Sequence, residues 1–464
     1  MTSEGYDGIV LGSGQAGKPL AISLAQAGWR MALVERRFIG GTCVNVGCTP
    51  TKTMVASARA AYLARRAGIY GVEIGPVKTN MERVRERTRN IVRQFRESSE
   101  RSVESTEGLT LLSGEGSFRG PGTVRVRLTD GRTTEISGKR IFINTGGRPA
   151  IPDIPGLSDV EHLDSSSILD LGEVPGRLIV LGGGYIALEF GQMFRRFGSD
   201  VTILQRGTQL LSREDPDVAE EVTRLLREEG IQVLLESRAR RVAASRSGGV
   251  EVLAKTPAGD RVLEGTHILV ALGRRPNTEE LDLPAAGVEV DERGYIKTNE
   301  YLETNVPHIY ALGDVKGGPA FTHISYDDYR VVLSRLTTDR HRSIQYRPVP
   351  YTVFLDPQLG RIGLSETEAR ARGHEIRVAA MPMAWVARAL EMDESRGLMK
   401  AVVDAKTDRI LGAAVLGVEG GELMALFQVA MMGDLPFTVL RDGVFAHPTL
   451  AESLNTLFSY LEPQ

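Results

Sequence analysis

The chain has two cysteines among its 464 residues, and they stand five positions apart in Gly40-Gly41-Thr42-Cys43-Val44-Asn45-Val46-Gly47-Cys48-Thr49-Pro50-Thr51-Lys52. Thiols so placed suit a reversible redox couple. Side chains five apart on a regular helix point away from one another, so closing a bridge needs a distorted turn, and Gly47 supplies freedom for one. A strained, exposed bridge is the labile, more oxidising kind.

A second group able to do chemistry lies late in the chain, in Phe445-Ala446-His447-Pro448-Thr449-Leu450-Ala451-Glu452. Thiol-disulfide exchange must take a proton from the attacking thiol and give one to the departing sulfur, and an imidazole has a suitable pKa. Glu452 could hold that imidazole in one tautomer.

The elements that position the cysteines begin with a short apolar strand, Tyr6 to Leu11, followed by Gly12-Ser13-Gly14-Gln15-Ala16-Gly17 and a helical stretch through Ala27. A second strand from Arg30 ends on Glu35. This is the strand-turn-helix-strand unit that binds an ADP moiety: glycines permit close backbone approach, the helix N-terminus faces the pyrophosphate, and the acid meets ribose hydroxyls. The unit recurs 170 positions later as Leu178 to Leu181, Gly182-Gly183-Gly184-Tyr185-Ile186-Ala187, a helix to about Phe197, and the strand Val201 to Leu204. Where the first copy has Glu35, the second has Gln205 followed by Arg206. A carboxylate there repels a 2′-phosphate, whereas a neutral residue beside a guanidinium accommodates it, so the second site leans to NADPH over NADH.

Two strand ends of similar form, Asn144-Thr145-Gly146-Gly147-Arg148-Pro149 and Ala271-Leu272-Gly273-Arg274-Arg275-Pro276, read as seams between nucleotide domains. A third, Ile309-Tyr310-Ala311-Leu312-Gly313-Asp314, carries an acid at its tip. Beyond Tyr346, strands at Tyr351 to Phe354, Gly397 to Asp404 and Ile410 to Leu416 and helices at Gly420 to Met432 and Ala451 to Tyr460 predict an α+β terminal domain. Met81 to Glu107 predicts a solvated helix with one packed stripe of Val84, Ile91, Val92 and Phe95.

Length and 42% hydrophobic content allow several domains, and a net charge of −3 gives no argument for nucleic acid or a membrane surface. The start, Met1 to Asp7, lacks a basic region followed by a long apolar one, which predicts a cytoplasmic protein. There a purely structural disulfide is disfavoured.

The paired nucleotide units, the Gly41-Thr42-Cys43 to Gly47-Cys48 box, the Gly313-Asp314 tip and His447-Pro448 together resemble the two-cysteine flavoprotein disulfide reductases: glutathione reductase, dihydrolipoamide dehydrogenase, mercuric reductase and their relatives. The resemblance covers essentially the whole chain. It implies an α/β fold of two Rossmann-like dinucleotide-binding domains plus an α+β dimerisation domain. The boundaries expected are 1–150 and 276–345 for FAD, 151–275 for NAD(P)H and 346–464 for the interface. It implies FAD and NADPH as cofactors, with NADH possible, a homodimer with shared active sites, and no metal site.

The same resemblance implies roles. Cys48 is the charge-transfer thiolate beside the flavin and Cys43 the interchange thiol that meets substrate. Lys52 places an ammonium near the flavin and pairs with Glu189; Tyr185 covers the flavin until nicotinamide displaces it; Asp314 meets the ribityl chain. Gly12, Gly14, Gly17, Glu35, Thr42 and Gly146 join the FAD site, and Gly182, Gly184, Gln205, Arg206 and Gly273 the nicotinamide nucleotide site. His447 and Glu452 serve the disulfide of the other subunit.

Departures from family patterns narrow the substrate. The chain ends Leu461-Glu462-Pro463-Gln464, without the C-terminal cysteine pair typical of mercuric reductases. Gln205 stands where dihydrolipoamide dehydrogenases show an acid, and no glutathione signature is evident. Ala16-Gly17-Lys18-Pro19-Leu20-Ala21, Phe321 to Arg330, and Glu452 to Phe458 are similar to bacterial reactive-chlorine-resistance flavoproteins, which reduce oxidants such as hypothiocyanous acid or Cu(II). The expectation is electron flow from NADPH through FAD to Cys43 and Cys48, then to a disulfide, oxidised sulfur species or metal ion. A dihydrolipoamide dehydrogenase, a mercuric reductase and a non-catalytic redox sensor are the alternatives.

Overall fold

The computed structural model describes residues 4–246 and 248–461. The expectations drawn from Met1 to Asp7 and from the ending Leu461 to Gln464 fall in part, at 1–3 and 462–464, outside the described residues. The chain divides into two units, one of Met1–Thr53, Arg83–Ala150 and Gly273–Arg347, the other of Met54–Glu82, Ile151–Leu272 and Pro348–Gln464.

The first stretch runs β1 (Glu4–Leu11), α1 (Gly17–Gln26), β2 (Met31–Glu35), α2 (Gly41–Val46), α3 (Cys48–Arg65), α4 (Met81–Glu104), β3 (Leu109–Gly120), β4 (Thr123–Leu128), β5 (Thr133–Ile143) and β6 (Gly147–Pro149). β1 is apolar throughout its second half because both of its faces are covered. Ile9 and Leu11 enter one buried cluster with Phe118 and Ile141, while Val10 enters another with Leu20 and Leu24 of α1. β1 pairs in parallel with β2 and β5, so that Leu11 faces Val34 on one side and Ile143 on the other. The first half of β3 continues the parallel sheet beyond β2, and its second half turns into an antiparallel meander with β4 and β5 that no sequence pattern announces.

In α4 the packed stripe departs from expectation. Thr88, Val92, Ser99 and Val103 are buried, whereas Phe95 is 54% exposed. Thr88 and Ser99 tolerate burial because their hydroxyls donate to the carbonyls of Val84 and Phe95, one turn back. Apolarity alone points to the wrong side chain.

The next stretch is β7 (Arg177–Leu181), α5 (Tyr185–Phe197), β8 (Asp200–Leu204), α6 (Pro216–Glu228), β9 (Gln232–Leu234), β10 (Arg238–Ala244), β11 (Val250–Thr256), β12 (Gly259–Gly265) and β13 (His267–Val270). β13-β7-β8-β9 form a parallel sheet and β10-β11-β12 an antiparallel one. Ile179, Leu181, Val252 and Ile268 belong to one core here.

Then come β14 (Arg274–Pro276), α7 (Leu283–Ala286), β15 (Ile309–Ala311) and α8 (Thr322–Thr337). β14 pairs antiparallel with β6, Arg274 opposite Pro149, so the two look-alike strand ends bind each other. β15 pairs in parallel with β5. The parallel orders are thus β3-β2-β1-β5-β15 and β9-β8-β7-β13. Each is the doubly wound order in which the strand leading into the glycine turn is central.

The last stretch holds β16 (Tyr351–Val353), β17 (Gln358–Gly363), α9 (Glu366–Ala371), β18 (Ile376–Pro382), α10 (Ala387–Glu391), β19 (Leu398–Asp404), β20 (Ile410–Gly417), α11 (Gly420–Met432), α12 (Phe437–Asp442) and α13 (Ser453–Ser459). Its antiparallel sheet, β16-β17-β20-β19-β18, shares a core with Phe427 of α11 and Leu454 and Phe458 of α13. α9 starts on a capping box: Ser365 accepts from the Glu368 N–H, and Glu368 accepts from the Ser365 N–H. The final helix is shorter than the expected Ala451 to Tyr460.

Candidate active site

The glycine turn after β1 needs glycine at its first position for two reasons. Gly12 has φ of +101°, and a Cβ there would stand 2.4 Å from the Asn144 carbonyl oxygen. At Gly17, the first residue of α1, a Cβ would stand 2.1 Å from the Gly12 oxygen, and at Gly14 2.8 Å from Asn144 Oδ1. Asn144, not among the residues expected at the site, ties the turn together. Its buried amide accepts from the Gly17 N–H at 2.8 Å and donates to the Leu312 carbonyl at 2.8 Å. Glu35 ends β2 with Oε2 accepting from both the Ser13 N–H (2.9 Å) and the Ser13 hydroxyl (2.6 Å). A turn with no room for Cβ atoms, a helix N-terminus and an acid at the next strand end suit an ADP moiety, so these residues fit FAD.

The cysteine box follows directly. Cys43 lies in α2, Cys48 opens α3, and the helical run breaks at Gly47 between them. A side chain at Gly47 would press within 2.8 Å of the Thr42 carbonyl oxygen, so the break requires glycine. Both cysteines are free thiols; Cys43 is half-buried and Cys48 exposed. The Cys43 thiol is pushed far up by its hydrogen bond to Cys48, by burial and by the neighbouring Cys48 charge, with the Thr322 hydroxyl pulling the other way. Cys48 Sγ lies 3.2 Å from Thr322 Oγ1 at the start of α8. Asn45 clamps the box: its amide donates to the Ile39 and Gly41 carbonyls, and its oxygen accepts from Arg96 of α4 at 2.7 Å. Lys52 is one turn beyond Cys48 in α3, and Thr42 is exposed on α2.

Asp314 sits in the short turn after β15. Burial raises its carboxyl pKa, opposed by Arg274 and Lys316; Arg274 Nη2 is 3.8 Å away. Asp328 of α8, fully buried, fastens this turn by accepting from the Gly313 N–H at 2.8 Å and pairing with Lys316 (3.3 Å) and Arg347 (2.7 Å). Gly146 and Gly273 immediately precede the paired strands β6 and β14.

The second turn repeats the first in backbone detail. Gly182 has φ of +119°, and a Cβ would stand 2.5 Å from the carbonyl oxygen of Ala271, the residue after β13 just as Asn144 is the residue after β5. Gly184 precedes α5, where Tyr185 is half-buried. Gln205 differs from Glu35 in more than charge: its amide donates to the Gln209 carbonyl at 3.0 Å, and it packs against Gly183. Arg206 beside it is exposed. Glu189, one turn along α5 and 3% exposed, accepts from the Phe354 N–H at 2.8 Å. A turn with no room for a Cβ ahead of a helix N-terminus suits a second dinucleotide.

His447 and Glu452 come together. Nδ1 lies 2.8 Å from one carboxylate oxygen and 3.1 Å from the other, and the imidazole is 69% exposed. Among the described residues, no helix is long and apolar enough to cross a membrane, and no group of three or more His, Cys, Asp or Glu is placed to hold a metal ion.

Asn144, Thr322 and Asp328 join the site without having been expected there from the sequence. The one signal for Asn144 is its place at the tip of a strand that stops on glycine.

A family model described as pyridine nucleotide-disulphide oxidoreductase matches residues 6–328, and one described as the dimerisation domain of such oxidoreductases matches 349–458. The probable pyridine nucleotide-disulfide oxidoreductase RclA of Escherichia coli (strain K12) is 38% identical over 461 residues, spanning 98% of this chain and 99% of that protein. The mercuric reductase of Staphylococcus aureus is 34% identical, spanning 97% and 81%. The Cu(II) complex of the HOCl-induced flavoprotein disulfide reductase RclA from Escherichia coli matches with a TM-score of 0.91 at 38% identity, over 100% of both chains.

Proposed function

The chain belongs to the pyridine nucleotide-disulphide oxidoreductase family, and from that premise we propose how its own residues carry out the chemistry. It is an NAD(P)H-dependent flavoprotein oxidoreductase of the disulfide reductase type, using FAD and NAD(P)H. FAD, when bound, supplies two-electron transfer from NAD(P)H to a disulfide.

Cys43 and Cys48 are assigned as that disulfide. The observation that carries the assignment is the pair of free thiols standing on either side of the helix break at Gly47. Two electrons and two protons open the bridge to two thiols. Cys43, as thiolate, attacks an oxidised sulfur of the substrate and expels its leaving group. Cys48 then attacks Cys43, which restores the bridge and releases the reduced product. His447, with Nδ1 committed to Glu452, serves the disulfide of the other subunit of the homodimer, where its Nε2 takes the proton from the attacking thiol and returns it to the leaving group.

Gly12, Gly14, Gly17, Glu35, Thr42, Gly146 and Asp314 are assigned to FAD. Lys52 is assigned as its nearby cation, and Glu189 is assigned to the catalytic machinery. Gly182, Gly184, Tyr185, Gln205, Arg206 and Gly273 are assigned to the nicotinamide nucleotide, with NADPH preferred. In domain terms, 1–150 and 276–345 serve FAD, 151–275 NADPH, and 346–464 the contact in a cytoplasmic homodimer whose active sites are shared. The acceptor is a small disulfide, an oxidised sulfur species or a redox-active metal ion such as the Cu(II) named for the RclA complex.

One panel tests this. Purified protein with NADPH or NADH is offered glutathione disulfide, lipoamide, hypothiocyanous acid, Hg(II) and Cu(II), and the assay is repeated with Cys43→Ser. Turnover abolished in the variant supports the dithiol route; full activity in the variant means the acceptor is reduced without it. Strong NADH-linked lipoamide turnover would establish a dihydrolipoamide dehydrogenase instead, and no turnover with any acceptor would point to a sensor.

A further inference from the structure

Asp314 has two cations beside it and a hydrogen bond from neither. It lies in the short turn Gly313–Lys316, where its carboxylate is partly buried. Arg274 Nη2 is 3.8 Å from it, too far for a hydrogen bond, and donates instead to the Gly147 carbonyl at 2.6 Å. Lys316, two residues on in the same turn, has its Nζ 3.3 Å from Asp328 of α8 and 3.4 Å from the Gly317 carbonyl. We propose that Asp328 is a positioning residue for FAD: by holding the Lys316 ammonium it keeps that cation off Asp314, whose carboxylate stays open to accept hydroxyls of the ribityl chain. This rests on the assignment of Asp314 to FAD.

Lys316 has two carboxylates within electrostatic reach. Burial pushes the Asp314 carboxyl up while Arg274 and Lys316 pull it down, so the lysine is already felt there. With its side chain only 6% exposed, the ammonium needs a counter-charge at that depth. Asp328 is a fixed host for it. Its Oδ2 accepts from the Gly313 N–H at 2.8 Å and its Oδ1 from the Arg347 guanidinium at 2.7 Å, and the residue is fully buried. Gly313 is itself pinned: its φ is +71°, and a Cβ would stand 2.8 Å from Asn144 Nδ2 and 3.0 Å from Ser325 Oγ. Without the Asp328 charge, the carboxylate left to Lys316 in its own turn is Asp314. An ion pair there would occupy the lone pairs that the ribityl hydroxyls need. Arg347 keeps Asp327 at 3.2 Å, so neutralising Asp328 releases one cation and not two.

The test follows release of FAD from the diluted, FAD-loaded full chain by the fluorescence of the free flavin, which requires no turnover. Asp314→Ala should release FAD about 10 to 100-fold faster than the parent, the value of a hydrogen bond to a charged group. Parent-like release in that variant would remove Asp314 from the FAD site, and the proposal with it. Asp328→Asn keeps an oxygen for the Gly313 N–H but loses the charge, and should release FAD about tenfold faster or more. Adding Lys316→Met to Asp328→Asn should return the release toward the parent rate, because no ammonium is then left to close on Asp314. A merely structural role for Asp328 predicts the opposite, a double variant as fast as Asp328→Asn or faster, and that result overturns the proposal. Parent-like release in Asp328→Asn overturns it as well. Should Asp328→Asn not fold, Lys316→Met alone decides: release at or below the parent rate supports the proposal, and an acceleration of about tenfold means that Lys316 itself serves FAD and overturns it.

Discussion

The side-chain oxygen of Asn144 accepts the N–H of Gly17 at 2.8 Å, across 127 residues of sequence. The same amide donates to the Leu312 carbonyl, so one buried side chain joins the start of α1, the end of β5 and the end of β15. Asn144→Ala leaves a buried N–H and a buried C=O without this partner, each costing about 1–3 kcal/mol. The expected outcome is a protein several degrees less stable that purifies with less FAD, measured by thermal melting and by the ratio of flavin to protein absorbance.

Removing the proton carrier should separate the two half-reactions. His447→Gln is expected to slow turnover with a disulfide acceptor by about 10² to 10⁴-fold. Reduction of the protein by NADPH should keep its rate, because no thiol-disulfide exchange with substrate occurs in it. Stopped-flow reduction and steady-state turnover on the same sample check both halves; equal slowing of the two would remove His447 from this role.

Nucleotide choice should follow the residues after β8. Arg206→Ala is expected to raise the KM for NADPH by about 10 to 100-fold, the value of a charge-assisted contact to a phosphate, and to leave the KM for NADH nearly unchanged. Gln205→Glu should improve NADH relative to NADPH by restoring an acid for the ribose hydroxyls. If Arg206→Ala weakens both nucleotides alike, the arginine does not read the 2′-phosphate.

Stability should depend on pH through Asp215, which precedes α6. Burial pushes its carboxyl up, but the Thr367 amide and hydroxyl, the Glu366 amide and Lys400 outweigh this and hold it at about 2, against an ordinary 3.8. Because the folded state ionises more readily, its stabilisation is complete above about pH 4 and fades as pH falls toward 2, amounting to about 2 kcal/mol. Asp215→Asn should cost that much at neutral pH by denaturant melting, and the gap to the parent should close as the solution is acidified through that window. A gap that stays constant across that range would mean the carboxylate's charge contributes nothing.

Much of the site is written in short stretches of sequence. The glycine turns at Gly12 and Gly182, the acid at Glu35, the neutral Gln205, the cysteine box and the His447 to Glu452 spacing are local patterns, since a turn or a bridge between near neighbours is dictated by the residues within it. α5 and α11 match their expected spans because caps and apolar periodicity act over a few residues. Phe95 shows where that reasoning stops: the periodicity locates a helix, and packing alone chooses which of its faces is dry.

What folding decided are the long-range pairings. Thr322 reaches Cys48 across 274 residues, Asn144 reaches Gly17 across 127, and β6 pairs with β14 although both look like simple exits from a domain. A threonine at a helix start or an asparagine at a strand end has no periodicity to mark it. Each becomes a site residue because the parallel sheets bring distant strand ends to one edge, where a buried amide or a hydroxyl beside a thiol must find its partner. The sequence by itself set two thiols five positions apart in one glycine-flanked box as the candidate chemical centre; the tertiary structure gave those thiols different surroundings.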